Sequence, residues 1–249
     1  MVTAAAVDGP PTLDVDRAVA TIRLRRPAEH NRIDPDDVDV IRGYLDRRLY
    51  RDARAVVFTG TGEATFSSGY TIEAIVERLD RRFEQLLDAI EQFPLPTICA
   101  LNGSVYGGAT DLALCCDFRL GVRGSRMFMP AARFGLHYYP GGLRRAVAAL
   151  GAAQAKRIFL TAQTLDAEEM LRIGFLTELV DRGALADRVD AYVAALVDCE
   201  PRVVASMKRQ IAAIAAGDRE NAESRADYEN SLASDELRRR LARLGRDTA

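Results

Sequence analysis

Phe58-Thr-Gly-Thr-Gly-Glu-Ala-Thr-Phe-Ser-Ser-Gly-Tyr70 and Asn102-Gly-Ser-Val-Tyr-Gly-Gly-Ala-Thr-Asp111 are the two stretches on which the reading of this chain turns. Each follows a short apolar run, around Ala55-Val56-Val57-Phe58 and around Ile98-Cys99-Ala100-Leu101, of the kind that suits a strand buried on both faces. The first loop is not a dinucleotide fingerprint, because Thr65 stands where the third glycine belongs. Neither loop continues into the Gly-Lys-Ser/Thr of a phosphate-binding loop. Gly103-Ser-Val-Tyr-Gly107 places its serine one residue early for a nucleophile elbow. In the second loop Gly107 and Gly108 open an apolar helix. The first N–H groups of a helix have no partner in the helix itself, and glycine lets a ligand oxygen approach them. One N–H from each loop, converging on a developing oxyanion, supplies ~3–4 kcal/mol per donor in a transition state. Asp111 lies one turn into that apolar helix, where a carboxylate is costly unless it is paired or used. We read Asp111 as functional and Asp117 as structural, at a helix-to-strand junction.

Outward from the loops, the pattern alternates strand and helix. Residues 18–24 read as a strand that Arg26-Pro27 ends. Asp34 caps a helix that Pro35 opens, and Val38, Ile41, Leu45 and Leu49 keep its apolar spacing. Residues 54–59, 97–101, 117–122 and 126–129 read as further strands. Apolar residues from Ile72 to Phe93 mark one long amphipathic helix, stopped by Pro94 and Pro96. From Gly141 the pattern is helical nearly to the end, with one short strand candidate at 176–180. Such alternation predicts an α/β fold with a parallel sheet. Three regions are expected: a disordered leader over 1–16, around Gly9, Pro10 and Pro11; a core over 17–190; and a C-terminal helical region over 191–249.

Composition narrows the function classes. The 249 residues carry 34 Lys and Arg against 36 Asp and Glu, a net charge of −2, with 48% hydrophobic and 28% charged residues. These values exclude global disorder and a disulfide scaffold, and the charge balance argues against a nucleic-acid partner. No apolar run reaches the length of a membrane span. Nothing at the N-terminus resembles a secretory signal, so the expected location is cytoplasmic. Cys99, Cys115, Cys116 and Cys199 form no C-x-x-C pair and are read as free thiols. His30 and His137 lie too far apart in sequence to suggest a zinc site, so no metal is expected.

Taken together, the segment from Phe58 to Tyr70, the segment from Asn102 to Asp117, and Asp166-Ala-Glu-Glu-Met-Leu-Arg-Ile-Gly174 resemble the crotonase (enoyl-CoA hydratase/isomerase) superfamily. The resemblance runs from about Val19 to about Lys208. It implies the crotonase (ClpP/crotonase-like) fold of repeated ββα units, with C-terminal helices that pack a homotrimer or a dimer of trimers. It implies an acyl-CoA thioester as substrate, with coenzyme A present only as part of that substrate and no separate cofactor. The N–H groups of Tyr70 and Gly108 would form the oxyanion hole, beside Gly69 and Gly107. Ser67, Ser68, Arg25, Arg32 and a subunit-donated Lys208 would lie near the CoA moiety. Family hydratases hold water between two carboxylates. Asp111 fills the first slot here, but Ala131, after Pro130, fills the second.

Locally, Gly103-Ser-Val-Tyr-Gly-Gly-Ala and Phe134-Gly-Leu-His-Tyr-Tyr139 look most like methylmalonyl-CoA decarboxylase and related C–C-cleaving members, with Tyr138 or His137 orienting a carboxylate or supplying a proton. The expectation is therefore a lyase that stabilises a thioester enolate. Two alternatives stand beside it: a hydratase/isomerase or C–C hydrolase using Asp111 as acid and base, and a non-catalytic binding protein of the same fold. Arg144 and Arg145 are expected on a surface helix face.

Overall fold

The two buried runs become adjacent parallel strands in the middle of a six-stranded sheet. The computed structural model describes residues 8–218 and 222–247. In chain order the first elements are β1 (Gly9–Asp16), β2 (Val19–Arg25), α1 (Pro35–Tyr44), β3 (Ala55–Gly60) and β4 (Thr65–Ser67). Next come α2 (Ile75–Arg78), α3 (Arg81–Glu91), β5 (Thr97–Leu101), β6 (Ser104–Tyr106), α4 (Gly108–Cys115), β7 (Phe118–Val122) and β8 (Arg126–Phe128). The chain continues through α5 (Pro140–Thr161), β9 (Leu165–Asp166), α6 (Ala167–Arg172), β10 (Glu178–Val180) and α7 (Leu185–Asp198). Helices α8 (Pro201–Ala215), α9 (Ala222–Ala233) and α10 (Asp235–Asp247) follow.

Six strands form the main sheet in the order β1-β2-β3-β5-β7-β10, and four form a second sheet in the order β4-β6-β8-β9. Among the described residues, the β1/β2 and β8/β9 pairings are antiparallel and the other strand pairings are parallel. Successive pairs β3/β4, β5/β6 and β7/β8 each place one strand in each sheet before a helix returns the chain, so the expected ββα repeat is present. Every residue of β3 and β5 is buried. Val56, Phe58, Cys99 and Leu101 face the larger core. Ala55, Val57, Ile98 and Ala100 face a smaller one, closed by Val193 of α7. A strand covered on both faces needs no polar alternation, which is why these runs read as continuous.

Several expectations are corrected. The leader expected over 1–16 is strand β1 from Gly9 onward, paired to β2, with its register shifted between Gly9 and Thr12; residues 1–7 lie outside those described. Pro10 and Pro11 fit because this is an edge strand at an irregularity, where no ladder N–H is required. The helix expected from Ile72 to Phe93 is broken: Leu79 and Asp80 are extended, and the Asp80 side chain accepts the N–H of Arg82 to cap α3. Helix α1 stops at Tyr44, and Leu49 lies in a separate 3₁₀ turn. The chain divides between Asp198 and Cys199 rather than at 190/191, because Val193 and Leu196 pack against the main sheet.

Candidate active site

Strand β4 pairs in parallel with β6, Thr65 opposite Ser104 and Ser67 opposite Val105. Parallel pairing delivers both glycine loops to the same edge of the second sheet. The first loop is fastened from below. Ser67 Oγ donates to Asn31 O at 2.7 Å and accepts from Gly69 N at 3.0 Å. Asn31 Nδ2 donates to Thr61 O and Thr65 O, each at 2.8 Å. Gly69 then turns with φ +87°, and a Cβ there would lie 2.7 Å from Gly108 N and 2.8 Å from Tyr106 O. Backbone contact this close permits only glycine. Gly107, at φ +54°, donates to Phe128 O at 3.1 Å and aims the chain into α4. Tyr70 N and Gly108 N are thereby brought side by side. Neither donates a hydrogen bond among the described residues. The Phe83 ring closes over this pair, edge-on to Tyr70 at 5.4 Å and against the Gly108 backbone.

The two loops open onto a cavity of about 400 Å³, in the range of small-ligand sites. Its far wall is apolar, built from Phe128, Met129, Pro130, Ala131, Phe134 and Leu136. His137, Tyr138, Tyr139, Tyr106 and Glu84 also line it. His137 Nδ1 lies 2.8 Å from Tyr138 O. A carbonyl only accepts, so Nδ1 carries the hydrogen and, in the neutral ring, Nε2 is the acceptor.

Asp111 is not among the lining residues. It is 1% exposed and forms a two-pronged ion pair with Arg145, itself 2% exposed: Nε to Oδ1 at 2.8 Å and Nη2 to Oδ2 at 3.1 Å. Tyr138 donates to Oδ2 at 3.3 Å, and Tyr139 donates to the same oxygen. Arg145 Nη1 reaches Asp88 at 2.8 Å and Glu91 at 3.1 Å. Burial and the charge on Asp111 push both tyrosine hydroxyls upward, so they remain neutral donors. Burial alone would lower Arg145; its hydrogen bonds to Asp111 and the nearby negative charge outweigh this and hold it protonated. Gly142 makes room for the cluster, since a Cβ there would lie 2.7 Å from Asp111 Oδ2.

A family model described as enoyl-CoA hydratase/isomerase matches residues 14–238. The chain belongs to the enoyl-CoA hydratase/isomerase family. It is 29% identical over 208 residues to (E)-benzylidenesuccinyl-CoA hydratase of Thauera aromatica, covering 80% of this chain and 81% of that one. It is 28% identical over 209 residues to a short-chain-enoyl-CoA hydratase of Clostridium acetobutylicum, covering 80% and 79%. The crystal structure of an enoyl-CoA hydratase/isomerase family protein from Hyphomonas neptunium superposes with TM-score 0.86 at 26% identity, covering 92% of each chain.

For this family member, the structure gathers Ser68, Tyr70, Gly107, Gly108, Ala131, His137 and Tyr138 around one cavity, with Gly69 directly behind the hole. Ser67 is fully buried in the loop scaffold rather than at the cavity. Arg25 and Arg32 do not line it. Arg25 sits beside Gly9, and Arg32 bonds Glu29 and Asp34. Lys208 lies on α8, in the C-terminal unit. Arg145, expected on the surface, is instead the buried partner of Asp111. Sequence reasoning also passed over Asn31, Phe83 and Glu84. The first is buried with φ +51°, and an Asn in an Arg-rich loop gives no sign of that. The other two share the α3 face turned to the cavity.

Proposed function

We propose that this family member forms a thioester enolate from an acyl-CoA substrate and that its reaction is C–C cleavage, with loss of carbon dioxide from a malonyl-type thioester. The observation that carries this reading is the engagement of Asp111. Adding water to a double bond requires one group to take a proton and another to give one. Here one family slot is Ala131, and the carboxylate at the other has both oxygens bound by Arg145, Tyr138 and Tyr139. Decarboxylation needs no base. The C–CO₂ bond breaks, its electron pair passes to the thioester oxygen as an enolate, and the hole at Tyr70 N and Gly108 N stabilises that oxygen. The apolar wall around Ala131 and Phe134 disfavours a bound carboxylate relative to the charge-dispersed transition state. His137 in its imidazolium form would orient that carboxylate through Nε2–H, since the one hydrogen of Tyr138 is already given to Asp111. Coenzyme A enters as part of the substrate, and no other cofactor is required.

Mass spectrometry on methylmalonyl-CoA, malonyl-CoA and crotonyl-CoA tests this. The expected result is loss of carbon dioxide from a malonyl-type thioester, abolished in Gly108→Pro, which lacks the donor N–H. The second reading, hydration, draws on the hydratase names of the relatives; water gained on crotonyl-CoA alone would establish it. Binding of these thioesters without turnover of any would point to the non-catalytic alternative.

A further inference from the structure

Helix α3 carries four acids on its course past the site, counting its cap, and three are engaged by guanidinium groups. Asp80 pairs with Arg82 at 2.9 Å, Asp88 with Arg145 at 2.8 Å, and Glu91 with Arg144 at 2.5 Å and Arg145 at 3.1 Å. Glu84 is the exception: among the described residues it has no ion pair and no hydrogen bond. Its neighbour Phe83 packs on both residues of the oxyanion hole, which fixes the register of α3 against Tyr70 and Gly108. Glu84 lines the same cavity. Its Oε1 reaches the first turn of α5, 3.6 Å from where a Cβ on Gly141 would sit, beside the Tyr139 ring. The half-buried position keeps it in contact with water for proton exchange. Of the two carboxylates that line the cavity, Asp80 and Glu84, only Glu84 is left with both oxygens available.

We infer that Glu84 is a catalytic residue of this cavity, the group that moves protons to and from the α-carbon of a bound acyl-CoA. The inference rests on the enolate-forming hole proposed above. As a carboxylate, Glu84 takes the α-proton. The C–H electron pair passes to the thioester oxygen held by Tyr70 N and Gly108 N, leaving Glu84 protonated and an enolate bound. In the reverse step Glu84 returns a proton to the α-carbon. After loss of carbon dioxide the same return step completes the product, and solvent restores the proton on Glu84. A positioned acid or base of this kind contributes on the order of 10²–10⁴-fold.

The test is α-hydrogen exchange of butyryl-CoA in D₂O, followed by mass spectrometry for the native chain, Glu84→Gln and Gly108→Pro, with butyryl-CoA binding and carbon dioxide release measured in parallel. The native chain is expected to exchange its α-hydrogens with solvent deuterium. Glu84→Gln is expected to lose at least about 100-fold in rate, with butyryl-CoA affinity and melting temperature unchanged, because this side chain has no bond to lose. Exchange at the native rate in Glu84→Gln, lost in Gly108→Pro, overturns the role of Glu84 and leaves the hole standing. Absence of exchange in the native chain also overturns the role of Glu84; continued carbon dioxide release then shows that the enolate reading survives it, and absence of release removes both.

Discussion

Arg145 carries two prongs to Asp111 and a third amino group to Asp88 and Glu91 while being 2% exposed. A buried guanidinium in such company is tolerable only because each of its three nitrogens donates to a carboxylate, and removing it strands a carboxylate that is 1% exposed. Arg145→Met is expected to destabilise the fold by about 3–5 kcal/mol in urea titrations. Adding Asp111→Asn should recover part of that loss, because the stranded charge is then gone. A loss below about 1 kcal/mol in the single variant would mean that water reaches the pair. Gly69 offers a second test at this scale. Its φ of +87° and its approach to Gly108 N make Gly69→Ala incompatible with the paired loops. Turnover of a thioester should fall by about 10²–10³-fold, the cost of one lost oxyanion donor, and native turnover in that variant would exclude the hole. Asp111 was legible in the sequence as a buried acid, but its partner was not. Arg144 and Arg145 are chain neighbours, and only the inward stripe of Gly142, Arg145 and Ala146 on α5 separates them.

Helix α1 shows how an element is fixed to the site from outside it. The Asp37 carboxylate accepts the Asp34 N–H at 2.9 Å, and Asp34 accepts from Arg32 at 2.8 Å and from Thr71, just past Tyr70. Burial alone would raise the Asp34 carboxyl. The hydrogen bonds from Arg32 and Thr71 and the charges of Arg26 and Arg32 outweigh it and hold the group below its ordinary value. A depressed folded value means stability that is present above the unfolded value, about 3.9 for Asp, and lost as pH falls through the folded one. Asp34→Asn should therefore melt lower than the native chain at neutral pH, with the gap closing as pH drops below about 4; a gap constant down to strong acid would contradict the assignment. Legibility at this scale followed burial. Strands β3 and β5 could be read because both faces are covered. Strand β1 could not, since Pro10, Pro11 and alternating acids are compatible with an edge strand and with a solvated leader alike. The break before α3 was hidden because Leu79 continues the apolar period; the capping residue Asp80 was its one available mark.

At the scale of the whole molecule, the sheets position the chemistry and the last helices leave apolar surface uncovered. No described helix is long and apolar enough to cross a membrane. On α8, Val203, Met207, Ile211 and Ile214 follow one another at intervals of four, four and three residues, so they form one stripe. All four are exposed, Ile211 at 67% and Ile214 at 66%. A stripe of this kind in water favours association, and the trimer or dimer of trimers implied by the family resemblance is the assembly we expect to cover it. Sedimentation velocity should give a mass of three or six chains, and Met207→Glu with Ile211→Glu should return a single chain that keeps its far-ultraviolet circular dichroism. A native chain that sediments as a monomer across the accessible concentration range would rule the assembly out. Lys208 follows Met207 on the same helix. If a neighbouring chain supplies it to the CoA moiety, the dissociated variant should show a raised KM for the thioester with kcat largely kept, because Tyr70 N and Gly108 N both belong to one chain and stay paired without a neighbour.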